Sequence, residues 1–370
     1  MQIKQENYQI WNTKILNKDE FNQLQTKEKL VYLCTVGHLA ANSHNTQPWR
    51  FEINDNDFTI NVYVLSNYIL PASDTTGRQA IISIGCAVEN IIQACTYFNL
   101  DCFVKIDLTE KEKINKKNIQ DNQLIKIISL KINQKNIIES SEENEKIYKA
   151  IFQRKTMRAD FSEKKEIPEE ILTKIQESSY NGITVHNIQD RIRRLMIAEF
   201  QGQADGFVIN STKFSRELGD WLIPNNTTSY IGMPGFGFGL QDEQAKRMHE
   251  AFTGKQKLEP EDGLKFAMGG KIGLEKSPLI VFLTAKLDEP EYWINTGRTM
   301  EKIFLLLTAN DIYYAVHAGI VEVSLINKLF AMTLKTTERI TTLFRVGYLN
   351  NPEDATRGHA PRLPIDQVII

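Results

Sequence analysis

The segment Ala41-Asn42-Ser43-His44-Asn45-Thr46-Gln47-Pro48-Trp49-Arg50-Phe51 decides how the rest of the chain is read. A helical apolar pattern, Lys27 to Ala41, runs into it, and alternating apolar residues leave it. In an extended segment side chains alternate, so Ser43, Asn45 and Gln47 are expected to present a hydroxyl and two amides on one side. Pro48 removes a backbone donor and pushes Gln47 out of the helical region. Mixed donors and acceptors beside the flat Trp49 indole suit a planar heterocycle with polar edges better than a metal or a phosphate. The same spacing also suits a capped helix-to-strand connection in which Trp49 simply enters the core. Spacing alone leaves both readings open.

Downstream, Arg50–Ile53 and Phe58–Val64 alternate around Asn54-Asp55-Asn56-Asp57, which predicts a hairpin or a pair of adjacent strands. Asp74 then precedes a long apolar helix, about Thr75 to Phe98, and is the expected N-cap. Strands are expected near Cys102–Leu108 and Leu124–Ile132. Upstream, residues 1–28 read as a polar lead-in with a short helix.

The remainder repeats this order. Helices are expected at Glu142–Arg154 and Pro168–Ser178, a strand at Ile183–Asn187, and a broken helix at Arg191–Leu218. Pro278–Ala285 reads as a fully buried strand and Thr296–Ala318 as a second long apolar helix. Gly319–Leu325 and Thr341–Leu349 read as later strands or connections. Gly77-Arg78 and Gly297-Arg298 are each expected to open a long helix, with Asn90 and Asn310 thirteen residues after the respective glycines. Strand, long helix, strand thus occurs twice, which argues for a duplicated α+β unit packed as an internal pseudo-dimer. The expected halves are 1–140 and 141–370. The second carries an insert, 221–274, whose stretch Ile231-Gly232-Met233-Pro234-Gly235-Phe236-Gly237-Phe238-Gly239 reads either as a mobile flap or as an irregular surface loop.

Composition narrows the function classes. The chain has 370 residues, 42% hydrophobic, with 46 acidic residues against 44 Lys plus Arg. That balance removes the electrostatic case for nucleic acid. None of the four cysteines, Cys34, Cys86, Cys95 and Cys102, forms a Cys-x-x-Cys pair, so buried reduced thiols are expected rather than disulfides or zinc. The N-terminus lacks a signal-peptide core, and the apolar run Leu279–Leu283 is too short for a bilayer. A soluble cytoplasmic protein without a metal is the expectation. No Gly-x-Ser-x-Gly elbow, His-Glu-x-x-His pair or Gly-x-Gly-x-x-Gly fingerprint occurs.

Arg154-Lys155-Thr156-Met157-Arg158 puts two guanidiniums four residues apart, on one face if helical, with a hydroxyl between them. Planar guanidiniums suit phosphate oxygens, though a solvated basic helix end has the same sequence. Arg362, in Arg362-Leu363-Pro364, is a further candidate phosphate ligand or an ordinary surface arginine.

These residues resemble a known family. Ala40 to Phe51 is similar to the hallmark loop of nitroreductase-like flavoproteins, and Arg154–Arg158 resembles their phosphate-binding Arg-Arg-Ser-x-Arg segment. Arg345-Val346-Gly347-Tyr348 through Arg362-Leu363-Pro364-Ile365 resembles their C-terminal pattern. With Asp74-Thr75-Thr76-Gly77-Arg78 in its place, the order looks like the tandem, Acg-type subfamily, over about residues 28–370. The resemblance implies a tandem nitroreductase-like fold with one FMN site at the junction of the halves. Arg154, Thr156, Arg158 and Arg362 would hold the phosphate, and Ser43, Asn45 and Gln47 would meet the ribityl chain and ring edge. The second possible site lacks a matching amide loop and is expected to be empty. The implied activity passes hydride from NAD(P)H through FMN to a nitroaromatic, quinone or similar acceptor. No catalytic side chain is nominated, and a monomer is expected. The alternative is a protein that stores or sequesters flavin beneath the 221–274 insert.

Overall fold

Two runs of period-two alternation near the N-terminus pair into an antiparallel ladder, and the rest of the first sheet grows from it. The computed structural model describes residues 5–114, 121–134, 141–254 and 260–370. The chain forms two compact units. The first comprises residues 1–154, 293–309 and 361–370; the second comprises 155–292 and 310–360.

In the first unit, helices α1 (Lys18–Gln23) and α2 (Thr26–His38) lead to strands β1 (Trp49–Asn54) and β2 (Thr59–Leu65). Helix α3 (Arg78–Tyr97), strands β3 (Leu100–Ile106) and β4 (Leu124–Gln134), and helix α4 (Glu142–Gln153) follow. The strands form an antiparallel sheet in the order β1-β2-β4-β3. Helix α3 is starred by burial: sixteen of its twenty residues are buried, so its apolar length reflects a core position. Its N-cap is Gly77 at φ 75°, not Asp74 as expected; Asp74 still caps the helix, accepting from the Gln79 and Ala80 amides at 3.0 Å.

In the second unit come α5 (Glu169–Glu177), β5 (Ile183–Ile188), α6 (Arg191–Asn210) and α7 (Thr212–Trp221). Short strands β6 (Leu222–Ile223) and β7 (Met233–Pro234) pair in parallel, and helices α8 (Asp242–Phe252) and α9 (Pro260–Glu275) follow. After β8 (Leu279–Ala285) runs α10 (Pro290–Thr308), which belongs to the first unit from Trp293 onward. The unit closes with β9 (Tyr313–Val316), α11 (Gly319–Glu322), α12 (Ser324–Thr333) and β10 (Arg339–Gly347). Its antiparallel sheet has the order β5-β8-β10-β9. Numbered within their own sheets, both sets of four strands run first, second, fourth, third.

Three sequence readings change. The expected helix Thr296–Ala318 begins earlier and ends at Thr308, because Asp311 adopts φ 55° and the chain turns into β9. Gly319–Leu325 is helical rather than extended. The insert 221–274 is largely helical, with a small core of Ile209, Leu218, Leu222 and Phe252 packed by Met233, Phe238 and Met248. Residues 255–259 of the insert lie outside the described residues.

Gly297-Arg298 does not open α10 but lies inside it. There, within the first unit, Gly297 meets Gly85 of α3. A Cβ on Gly85 would strike the Ile294 carbonyl, and one on Gly297 would strike the Ile82 carbonyl. The two helices therefore cross at backbone contact, which only glycine permits. The internal likeness is thus better drawn as Gly85-x-x-x-Glu89 against Gly297-x-x-x-Glu301. Both glutamates are fully buried and both carry an arginine: Arg298 Nε lies 3.4 Å from Glu89 and Arg154 Nε 2.9 Å from Glu301.

Candidate functional site

The amide loop is not the extended segment its spacing suggests. Ser43–Asn45 forms a single tight helical turn, and His44, Asn45 and Gln47 take φ of 50°, 56° and 54°. Left-handed backbone at non-glycine residues is costly and persists where surrounding bonds enforce it. The bonds here are identifiable. Asn42 Oδ1 accepts from the Gln47 amide at 2.9 Å, and the Ser43 hydroxyl donates to Gln79 Oε1 at the start of α3. The three polar side chains consequently do not line one side.

Asn45 and Gln47 are buried and hold the C-terminal segment of the same unit. Asn45 Nδ2 donates to the Pro361 carbonyl at 2.8 Å, and its Oδ1 accepts from Arg362. Gln47 Oε1 accepts from the Leu363 amide at 2.8 Å. Arg362 also donates to the Ala40 carbonyl at 3.1 Å, and its guanidinium lies 5.5 Å from the Trp11 ring centre. Burial lowers its pKa to about 9, Arg154 adds to the fall and Glu301 opposes it. Arg362 is therefore enclosed at the base of the loop.

Trp49 does enter the core, as the plainer reading held: its indole N–H donates to His38 Nδ1 at 2.8 Å. That fixes the tautomer, so His38 Nε2 carries the proton and donates to the Leu363 carbonyl at 2.9 Å. Burial and the nearby Arg362 push the His38 pKa down to about 3 despite that bond. His38 is a neutral strut.

The arginine segment is likewise not one helical face. Helix α4 ends at Gln153, Arg154 is its C-cap at ψ 129°, and residues 155–158 are irregular. The two arginines have different fates. Arg154 pairs with Glu301 at 2.9 Å and donates to the Leu39 carbonyl at 2.8 Å, all within the first unit. Glu301 also accepts from the Ala41 amide at 3.3 Å, and burial raises its pKa against the pull of Arg154.

Arg158, in the second unit, makes no hydrogen bond or ion pair among the described residues. One face of its guanidinium lies 4.3 Å from the Phe238 ring centre. That packing covers the face and leaves the in-plane N–H donors uncommitted. Burial lowers its pKa to about 10, so it stays charged at neutral pH. Thr156, partly exposed on the same irregular run, also has an uncommitted hydroxyl among the described residues. The neighbouring backbone is tied down: the Met157 amide donates to the Tyr314 carbonyl at 2.8 Å, and Arg357 donates to the Arg158 carbonyl at 3.0 Å. A guanidinium and a hydroxyl on a fixed backbone, with spare donors, suit a phosphate.

The Gly-rich stretch reaches this place in the second unit. Gly235–Phe238 forms a tight turn, with Phe238 on Arg158 and Gly239 against the Arg357 guanidinium. Sequence reasoning did not single out Glu301; the shared Gly-x-x-x-Glu spacing with Glu89 was the signal that could have found it. No group of three or more His, Cys, Asp and Glu side chains with metal-binding geometry occurs among the described residues.

No family model matches the chain. Two uncharacterized proteins of Mycobacterium tuberculosis, from strains CDC 1551 and H37Rv, are each 39% identical over 59 residues, 15% of this chain. The match spans 17% of those relatives' own length. Among solved structures, the FMN-dependent nitroreductase NfnB from Mycobacterium smegmatis in complex with NADPH is 15% identical. It covers 61% of this chain and 97% of its own at a TM-score of 0.40. NfnB from Sphigopyxis sp. strain HMH, an FMN- and NADPH-dependent nitroreductase, is 16% identical over 60% of this chain and 97% of its own, with a TM-score of 0.39. A nitroreductase with bound FMN from Bacteroides fragilis is 13% identical over 55% of this chain and 88% of its own, with a TM-score of 0.32.

Proposed function

We propose that the protein is an FMN-binding oxidoreductase of the nitroreductase type, built from two tandem copies of one α+β unit. The observation that carries the cofactor is the Arg158 guanidinium, uncommitted among the described residues, two residues along an irregular run from the Thr156 hydroxyl, in the segment that resembles the family's phosphate-binding run. FMN supplies two-electron hydride chemistry between a nicotinamide donor and a small acceptor such as a nitroaromatic or quinone. Arg158 and Thr156 bind the phosphate, and Phe238 holds the plane of the guanidinium so that its N–H edge is presented without reorganisation. Arg154 and Arg362 neutralise and fix buried backbone instead of gripping the phosphate directly. Asn45 and Gln47 hold the C-terminal segment Pro361–Leu363 of their own unit. The tandem reading is supported by the two sheets of identical strand order and by the paired Gly-x-x-x-Glu helices.

A second reading, flavin kept for storage, draws on the contact of Phe238 with Arg158, since a covered phosphate grip favours slow release. One experiment addresses both. The purified protein is titrated with FMN and assayed for NADH and NADPH oxidation with and without nitroaromatic and quinone acceptors. One bound FMN per chain with acceptor-dependent oxidation is the expected result. One FMN without turnover selects storage, and no saturable FMN binding overturns both.

A further inference from the structure

Lys155 stands between Arg154 and Arg158, in the run that reads as phosphate-binding, yet its ammonium is directed to another part of the second unit. Nζ donates to the Ala355 carbonyl at 2.6 Å and to the Arg357 carbonyl at 2.5 Å. These carbonyls lie at the end of the tight turn Pro352–Thr356. Arg357 answers in the opposite direction. Its Nη1 donates to the Arg158 carbonyl at 3.0 Å, and its Nη2 donates to the Asp354 carboxylate. The Gly-rich turn rests on the same guanidinium: a Cβ on Gly239, which has φ 75°, would lie 3.3 Å from both terminal nitrogens. The residue before it, Phe238, covers the Arg158 guanidinium at 4.3 Å. Two bonds sets thus run in opposite senses between residues 155–158 and 355–357, the side chain of each cation holding backbone of the other's segment. Arg345 adds a bond one residue on, from Nη2 to the Ala159 carbonyl at 2.9 Å.

We propose that Lys155 and Arg357 are positioning residues of the phosphate site, a reciprocal strap that sets the backbone from which Arg158 and Thr156 meet a phosphate monoester. The proposal rests on the reading of Arg158 as the phosphate ligand. Residues 155–158 belong to no helix or strand, so no regular ladder fixes their shape. Bonds from an ammonium and a guanidinium to main-chain carbonyls do so instead, and charge-assisted bonds are the stronger kind. A backbone ordered before the ligand arrives lowers the ordering cost of binding. Sequence alone makes Lys155 a third phosphate cation. Its two carbonyl bonds, both to residues of the distant turn, assign it to holding the site rather than to gripping the anion.

The test measures FMN and riboflavin affinity of the full-length protein by flavin fluorescence, for Lys155→Met, Arg357→Ala, the double variant and Arg158→Ala. Lys155→Met keeps the aliphatic stem and removes the donors. Each strap variant should weaken FMN about three- to tenfold, the range for losing one hydrogen bond, and leave riboflavin nearly unchanged. The double variant should lose about as much as the worse single variant rather than the product of the two, because the strap acts as a unit. The loss should persist at high salt, where a through-space charge effect on the phosphate is screened. Thermal unfolding identifies a variant that has lost its fold. Arg357→Lys then carries the test: it keeps the charge without the planar fork, and should show the same FMN-selective loss on a smaller scale. Losses that multiply, that vanish at high salt, or that affect riboflavin equally overturn the strap. Normal FMN binding by folded strap variants, with Arg158→Ala impaired, overturns the strap alone. Normal FMN binding by Arg158→Ala overturns the phosphate reading and the strap with it.

Discussion

Arg154 and Arg158 are separated by one turn's worth of sequence and have opposite surroundings. Arg154 is 4% exposed and paired with the buried Glu301, while Arg158 rests on Phe238 with its N–H edge uncommitted among the described residues. The first is part of a network that also includes the Ala41 amide and the Leu39 carbonyl. The second stands on an irregular run whose backbone, rather than its side chain, is fixed. Spacing makes the two look interchangeable. Burial and partners make one a structural ion pair and leave the other with donors uncommitted among the described residues, the basis for proposing it as the phosphate ligand.

The comparison breaks most visibly in stability. Removing one partner of a buried pair leaves the other charge unpaired, so Arg154→Ala should cost about 3–5 kcal/mol. Arg158→Ala, which strands no partner among the described residues, should cost less than about 1 kcal/mol in urea unfolding of the cofactor-free protein. Equal losses would show that the two surroundings do not differ as described.

A buried carboxyl in the second unit gives a pH-dependent counterpart. Asp205 accepts from Gln201 Nε2 at 2.7 Å and lies against Gly270 and Gly319, and burial raises its pKa from 3.8 to about 7 despite the Gln201 bond. The folded state therefore holds a proton that the unfolded chain releases. Stability contributed by the protonated form is complete below about pH 4 and is lost as pH rises toward 7, by up to about 4 kcal/mol at 1.36 kcal/mol per unit. Asp205→Asn should remove that decline, so the variant should gain on the parent between pH 4 and 7. Parallel stability curves would contradict the burial effect.

A smaller effect sharpens the first unit's helix crossing. Gly297→Ala should cost about 1–3 kcal/mol, the overpacking range, because its methyl group meets the Ile82 backbone. Gly237→Ala, with open space around its Cβ position, should be nearly neutral by the same thermal unfolding measurement. A neutral Gly297→Ala would show that the helices do not cross at backbone contact.

Strands and core helices were legible where periodicity was long. The hairpin expected at Arg50–Ile53 and Phe58–Val64 is β1 and β2 to within a residue or so, and the buried run at Pro278–Ala285 is β8. The loop's chemistry was legible as residue types but not as directions, since left-handed backbone at His44, Asn45 and Gln47 depends on bonds to Asn42, Arg362 and Leu363. Such long-range partners have no local signal. For the same reason spacing could pick out Arg154 and Arg158 but not tell them apart: Glu301 lies far along the chain, and its partnership is a product of packing. The like order of elements along the chain was legible, but Gly77 and Gly297 do not occupy matching places, because α10 starts before Gly297 whereas Gly77 caps α3.

The most direct test is an equilibrium titration of Arg158→Ala with FMN and with riboflavin, which lacks the phosphate. Loss of a charge-assisted phosphate contact should weaken FMN by roughly 1.5–3 kcal/mol, about tenfold to more than a hundredfold, and leave riboflavin nearly unchanged. Unchanged FMN affinity, or equal loss for both ligands, would contradict the assignment of Arg158 to the phosphate.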